Sequence, residues 1–349
     1  MKNILVAPLN WGLGHATRCI PIINALIENG FNPILASDGT ALTLLKKEFP
    51  NLVTLQLPSY HIEYAKKASN FKWKIIKNSP KTINAIYQEK KLVKEFITKY
   101  NLIGIISDNR LGVHSKKVPS VFITHQLTVL SGKTTYISSK IHQYFIKKFH
   151  QCWVPDNKDA PTLTGKLGHL KSTKLKLKYI GILSRLEKQN LPIVNNLMIL
   201  LSGPEPQRTL LEEKLILELE TYSEKVVFIK GKVESTQVIE VKKNITFYNY
   251  MQTKELEKTF NESEIILCRS GYTTIMDLAK LEKKAFFIPT PGQYEQEYLA
   301  KRLKRQGLVP RNTQDKFKLE NLNEIAVYKG LSNLNETNNW EELFSLFQV

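Results

Sequence analysis

Cysteine is scarce in this sequence: Cys19, Cys152 and Cys268 are the only three among 349 residues, far apart and without a C-x-x-C pair. Isolated thiols build neither a disulfide framework nor a zinc cluster, so a reducing cytoplasmic setting is expected. Long apolar runs are missing too. Stretches such as Ile4 to Pro8 and Leu197 to Leu201 fall far short of the roughly 20 residues of a membrane-spanning helix. Met1 to Pro8 reads as a strand rather than a secretory leader, so neither a transmembrane helix nor a signal peptide is expected. No Asp-x-Asp pair suited to a metal occurs, and no short repeat recurs. Acidic residues are thin in the first half. The excess of 50 Lys and Arg over 32 Asp and Glu, a formal net charge of +18, lies wholly in residues 1–178, while 179–349 sum to zero.

What is present suffices for two cores. A chain of 349 residues with 42% hydrophobic composition is an ordinary globular protein of about two domains. Residues 61–100 hold ten Lys against three Glu, and residues 133–178 hold ten Lys against Asp156 and Asp159. A basic half beside a neutral half implies an anionic partner, which could be a membrane surface, nucleic acid or a phosphorylated substrate. The plainer alternative is a set of solvated lysine-rich faces.

Short runs rich in Ile, Val and Leu alternate with stretches of helical period, the pattern of parallel sheets covered by helices. Strands are expected at Asn3 to Ala7, Pro33 to Ala36, Val53 to Leu57, Leu102 to Ser107 and Ser120 to Thr124. Helices are expected over Ala16 to Asn29, which stops at Gly30, and over Thr82 to Tyr100. The pattern then restarts, with strands at Asn195 to Leu201, Lys225 to Ile229, Ile245 to Tyr248, Glu264 to Leu267 and Ala285 to Ile288. Helices begin near Thr209, Thr253, Thr273 and Glu295. The seam falls near Tyr179 to Pro192, which gives domains of 1–181 and 182–334. A final helix, Asn339 to Phe347, carries Trp340, Leu343, Phe344 and Phe347 as an apolar stripe, so 335–349 is expected to dock back on the first domain.

In open parallel sheets, ligands bind beyond the carboxyl ends of the strands. The first such loop contains Gly12, Gly14, His15 and Arg18. The glycines let the backbone turn and approach a ligand, and His15 stands at a helix N-terminus. It is not a dinucleotide fingerprint, because the third glycine of G-x-G-x-x-G is replaced by Thr17. Asp108 and the pair His125 and Gln126 stand at the ends of two further strands of this half. A capping role for His15, an Asx turn for Asp108 and a satisfied interior site for His125 are the structural alternatives.

Gly12-Leu-Gly-His-Ala-Thr-Arg18 resembles the first loop of GT-B glycosyltransferases related to glycosyltransferase family 28. That family includes the enzyme adding N-acetylglucosamine to the lipid-linked peptidoglycan precursor. In the second half, Arg269-Ser-Gly-Tyr-Thr-Thr-Ile-Met-Asp277 is followed by Ile288-Pro-Thr-Pro-Gly-Gln-Tyr-Glu-Gln296 and Ala300. This order is similar to the family's nucleotide-sugar signature. The resemblance covers nearly the whole chain and implies two Rossmann-like parallel-sheet domains facing across a cleft, the first binding acceptor and the second a nucleotide-sugar.

Under that resemblance Ser270, Gly271 and Thr273 offer a helix N-terminus and hydroxyls to a diphosphate. Asp277 stands where the family has a ribose-binding Glu, one methylene shorter. Gln293, Glu295 and Gln296 face the donor sugar, Met251 borders the base, and Gly203, Arg208 and Arg269 complete the donor side. At Gly203 two prolines, Pro204 and Pro206, replace the small residues of the family's phosphate-touching turn. Gln126 matches the family's Glu-Gln-Asn, whereas His125 does not.

The implied reaction is inverting transfer of a hexosyl group from a UDP-sugar co-substrate, without metal or bound cofactor, to a hydroxyl acceptor that could be lipid-linked. His15 or Asp108 would be general base, with His15 preferred because a near-neutral pKa suits that task. Phe71, Trp73, Ile75 and Ile76, interleaved with Lys72, Lys74 and Lys77, resemble a juxtamembrane segment, which implies a peripheral position on an anionic membrane face. A nucleotide-sugar hydrolase or epimerase of the same fold is one alternative. A basic nucleic-acid-binding protein is another, although no nucleic-acid-binding signature is present and no specific nucleic acid is expected.

Overall fold

The computed structural model describes residues 2–60, 71–232, 234–332 and 339–348, with backbone alone for 71–79. They form two compact units, one of residues 2–60, 72–183 and 339–348, the other of 71, 184–232 and 234–332.

The first unit runs β1 (Asn3–Pro8), α1 (Gly14–Glu28), β2 (Asn32–Ser37), α2 (Gly39–Glu48), β3 (Thr54–Gln56), α3 (Phe71–Lys99), β4 (Leu102–Asp108), β5 (Ser120–Ile123), α4 (Thr135–Ile146), β6 (Gln151–Val154) and β7 (Leu177–Tyr179). Its seven strands are parallel and ordered β3-β2-β1-β4-β5-β6-β7. At the centre, Leu5 of β1 stands between Ile34 of β2 and Ile105 of β4. Such strands are buried on both faces, so they read as continuous apolar runs rather than alternating ones.

The second unit repeats the plan with β8 (Asn195–Leu200), α5 (Gln207–Glu218), β9 (Val226–Ile229), β10 (Ile239–Lys242), β11 (Ile245–Tyr248), α6 (Thr253–Asn261), β12 (Ser263–Cys268), α7 (Tyr272–Leu281), β13 (Lys284–Phe287) and α8 (Tyr294–Arg305). The sheet order is β10-β11-β9-β8-β12-β13, parallel except for the β10–β11 hairpin.

A last helix, α9 (Trp340–Phe344), and the 3-10 turn Ser345–Phe347 pack on the first unit. Phe344 and Phe347 lie against Phe31, with ring centroids 5.7 and 6.5 Å away, and against Trp153. Gly104 of β4 makes room for them: a Cβ there would fall 2.3 Å from the Phe347 ring. The apolar stripe of the C-terminal segment thus finds its cover at a glycine in a central strand.

The helix expected from Thr82 begins instead at Phe71 and runs through Pro80. Five elements have no counterpart in the periodicity: α2, α4, β6, β7 and β10. Strand β10 is exposed along its whole length, so it lacks the buried apolar run by which the other strands are recognised.

Candidate functional site

In the first sheet the strand order reverses between β1 and β4, and in the second between β8 and β12. Loops at these switch points are where open α/β sheets bind ligands.

In the first unit the chain leaves β1, turns at Gly12 with φ +70, and enters α1 at Gly14. A side chain at Gly12 would meet no atom within 4 Å, so this turn faces open space. His15, in the first helical turn, brings Nδ1 to 2.8 Å from Asp108 Oδ1 at the end of β4. One turn on, Arg18 forks onto the same carboxylate, donating from Nε to Oδ2 at 2.5 Å and from Nη2 to Oδ1. Its Nη1 stands 3.1 Å from Nδ1 of His125, the residue just beyond β5. Asp108 and Arg18 are sealed from solvent, while the His15 side chain keeps 14% of its surface exposed. Gln126 is half-buried, and its N–H donates to Thr124 Oγ1.

The electrostatics follow from that packing. Burial alone would raise the Asp108 carboxyl, but Arg18, His15 and their hydrogen bonds outweigh it and hold the group well below the usual carboxylate range. Burial, the largest influence on His15, lowers its pKa from 6.5, with Asp108 opposing and Arg18 assisting. Nδ1 of His15 also lies 2.8 Å from Arg18 Nη2, so carboxylate and guanidinium both hold the ring through this nitrogen, and Nε2 is the position left clear of them.

A second buried network braces the same loops. Arg110, directly after the Asp108-Asn109 turn, donates to Pro8 O at 2.9 Å, Pro58 O at 3.1 Å and Glu89 Oε1 at 2.8 Å, and pairs with Asp38. Tyr60 donates to Glu89 Oε2 at 2.7 Å, and the N–H of Gly112 reaches the same oxygen. Sequence reasoning missed this clamp. Its one signal is Glu89, an acid buried within the lysine-rich α3.

In the second unit, Gly271 caps α7, which has no side-chain cap and no acid in its first turn. A Cβ on Gly271 would meet only Thr274 Oγ1, at 4.0 Å, so the positive end of this helix looks into open space. Ser270 donates its hydroxyl to Gln296 O at 2.8 Å, and the Gln296 side-chain oxygen accepts from Thr290 N at 2.9 Å. The loops after β12 and β13 are thereby stitched together. Gln293 caps α8 and Glu295 lies in its first turn; Thr273 is half-buried in the first turn of α7.

Other residues of the expected donor side have internal partners. Arg208 is held by Glu205 and by Glu212 at 2.6 Å, so its charge is neutralised within the unit. Arg269 is buried beneath the loops and donates to Ile288 O, Pro289 O, Gln207 O and Gln314 Oε1. Burial pushes its pKa down to about 9. Asp277 accepts from Ser184 Oγ at 2.6 Å. Burial, foremost, raises its carboxyl to about 6, against the pull of Ser184 and Arg185. Met251 is buried, and its sulfur accepts from Thr259 Oγ1.

Comparison with known proteins agrees with this architecture. Residues 207–342 match the glycosyltransferase family 28 C-terminal domain. MurG from Acinetobacter baumannii superposes with a TM-score of 0.57 at 14% identity, covering 100% of this chain and 99% of that one. The spinosyn rhamnosyltransferase SpnG complexed with thymidine diphosphate gives 0.60 at 12%, covering 100% and 95%. SnogD, a glycosyltransferase from Streptomyces nogalater, gives 0.59 at 12%, covering 99% and 93%. No protein of curated function matches the sequence. The two parallel-sheet units are those of the GT-B fold. The chain thus has the GT-B fold, and its second half carries the match to the family 28 C-terminal domain.

Proposed function

We propose that the protein is an inverting glycosyltransferase that moves a hexosyl group from a nucleoside-diphosphate sugar to an acceptor hydroxyl, with donor bound by the second unit and acceptor by the first. The observation that carries the reading is His15, oriented through Nδ1 by a buried, ionised Asp108 that Arg18 fixes in place. Asp108 is sealed and too acidic for a base, so Nε2 of His15 takes the acceptor proton. The freed oxygen attacks the anomeric carbon opposite the carbon–oxygen bond to the diphosphate, that bond breaks, and the configuration inverts. The diphosphate leaves with its charge met by the N-terminus of α7 at Gly271, which needs no metal. A uridine base is assigned by the family resemblance, and the thymidine diphosphate on SpnG makes that nucleotide the control. In a thermal-shift titration UDP is expected to raise the melting temperature and NAD to leave it unchanged. Folded protein that ignores every nucleoside diphosphate would remove the donor assignment. Turnover without acceptor would favour the hydrolase or epimerase.

The acceptor reading draws on α4. Tyr136, Ile137, Ile141 and Tyr144 are each more than half exposed on this helix. They are interleaved with lysines, Lys140 lying 5.5 Å from the Tyr136 ring and Lys148 4.4 Å from the Tyr144 ring. Such an aromatic, aliphatic and cationic face suits an anionic lipid surface, and with it a lipid-linked acceptor and a peripheral membrane position. The helix also grips the loop that carries His125 and Gln126, through Gln143 Nε2 to Leu127 O at 3.0 Å. Among the described residues no helix is long and apolar enough to cross a membrane. The side chains of the juxtamembrane-like segment 71–77 lie outside the described residues. Flotation with phosphatidylglycerol vesicles is expected at low salt and is expected to weaken in Ile141→Ser. Equal flotation with neutral vesicles, or none, would sink the lipid reading.

A further inference from the structure

The loop after β13, which a hydrogen bond from Ser270 to Gln296 O ties to the loop after β12, holds a buried polar atom with no partner among the described residues. Thr290 is 2% exposed, and its Oγ1 makes no hydrogen bond among the described residues. A buried hydroxyl left unpaired carries the desolvation penalty of that group in full, so its persistence asks for an explanation. The rest of Thr290 is fully engaged: its N–H donates to Gln296 Oε1 at 2.9 Å, and its carbonyl accepts from Gln293 N at 3.1 Å. The main chain is therefore pinned, and the hydroxyl alone is unanswered.

Its surroundings say what would answer it. Directly above lies Gly203, exposed and at φ +103, where a Cβ would stand 3.5 Å from the hydroxyl. Glycine there keeps a side chain from coming between Thr290 and the exterior. On the neighbouring strand, Gly271 opens the uncapped N-terminus of α7 to empty space, and that helix end favours an anion. An anion drawn to Gly271 presents acceptor oxygens and no donors, which is what a lone hydroxyl donor lacks.

We propose that Thr290 is a further donor-binding residue, its Oγ1–H donating to a phosphate oxygen of the diphosphate held at Gly271. The inference rests on the reading of the second unit as the nucleotide-sugar unit. It assigns the hydroxyl to phosphate rather than to sugar or base.

The test uses the full chain with Thr290→Val, which keeps the shape and removes the hydroxyl, and Thr290→Ser, which keeps the hydroxyl. Calorimetric titration with UDP and with uridine, and melting of the unliganded proteins, are the readouts. Expected for Val are a melting temperature equal to or above that of the parent, UDP affinity down by about tenfold, and uridine affinity unchanged; Ser should bind UDP like the parent. Undiminished UDP binding by Val overturns the proposal, and so does an equal loss for uridine. A Val protein that melts lower or fails to fold also overturns it, because the hydroxyl then has an internal structural role. If the parent binds no nucleoside diphosphate, the donor reading of the unit falls first. If the parent binds and Val binds equally, only Thr290 falls.

Discussion

At the scale of single residues, His15 and Asp108 illustrate how burial divides labour between two groups that look interchangeable in a sequence. Asp108 lies under Arg18 and is held ionised, whereas His15 keeps an exposed edge and a pKa lowered first of all by burial. A base must be neutral to accept a proton, so kcat/KM is expected to rise with pH through a limb below 6.5 and to level off near neutrality. His15→Ala should lower kcat by about 10²- to 10⁴-fold and leave UDP affinity within twofold. Single-turnover rates and equilibrium titration separate the two; a loss of affinity with turnover intact would make His15 a binding residue. The contiguous Gly12-to-Arg18 loop is legible in the sequence because its parts are neighbours. The grip of Arg18 on Asp108 is not, because 90 residues separate them and only the β1–β4 pairing brings them together. The partner of Asp277 is hidden for the same reason, since Ser184 lies 93 positions away; those of Arg208, Glu205 and Glu212, are three and four residues off, within reach of a sequence reading.

Elements tell a different story, because what makes one legible is the way it is buried. Central strands such as β1 and β8 appear as apolar runs within a residue or two of their observed ends, since helices cover both of their faces. Strand β10 alternates Ile239, Glu240, Val241 and Lys242 with none of them buried, and β6 is only four residues long. Neither offers a pattern that stands out. Helix α3 continues back through Pro80, which breaks the periodicity in the sequence without ending the element. The C-terminal segment is the sharper case: its stripe is visible in the sequence, whereas its receptor, Gly104, is an absence of side chain that no periodicity reports. Gly104→Ala would force a methyl against the Phe347 ring and Ile4, with an expected destabilisation of about 1–3 kcal/mol. Phe347→Ala would leave a cavity and is expected to destabilise by about 3–5 kcal/mol. Since the two changes share one space, the double variant should be more stable than their sum predicts by about 1 kcal/mol or more. Chemical denaturation of the four proteins measures that coupling, and strict additivity would show that Phe347 does not rest on Gly104.

For the whole molecule, ionisable groups are divided between the units as unevenly as the net charge. His114 and His142 of the first unit are pushed down to about 4, in each case chiefly by burial. Their unfolded counterparts titrate near 6.5. Between those values the unfolded state binds more protons, so the first unit loses stability as pH falls from about 6.5 to about 4. Asp277 of the second unit works in the opposite sense. Its folded carboxyl, raised to about 6, holds its proton where the unfolded one, near 3.9, has released it. The second unit therefore gains from that group as pH falls through the same window. Trp11, Trp73, Trp153 and Trp340, all four tryptophans of the chain, belong to segments of the first unit, so their fluorescence reports that unit alone while far-UV circular dichroism sees both. Between pH 7 and pH 5 the fluorescence-detected melting temperature is expected to fall by more than the dichroism-detected one, and the two transitions should separate. Melts that coincide at both pH values would mean that the units unfold as one, and the opposed titrations would then cancel in part within a single transition.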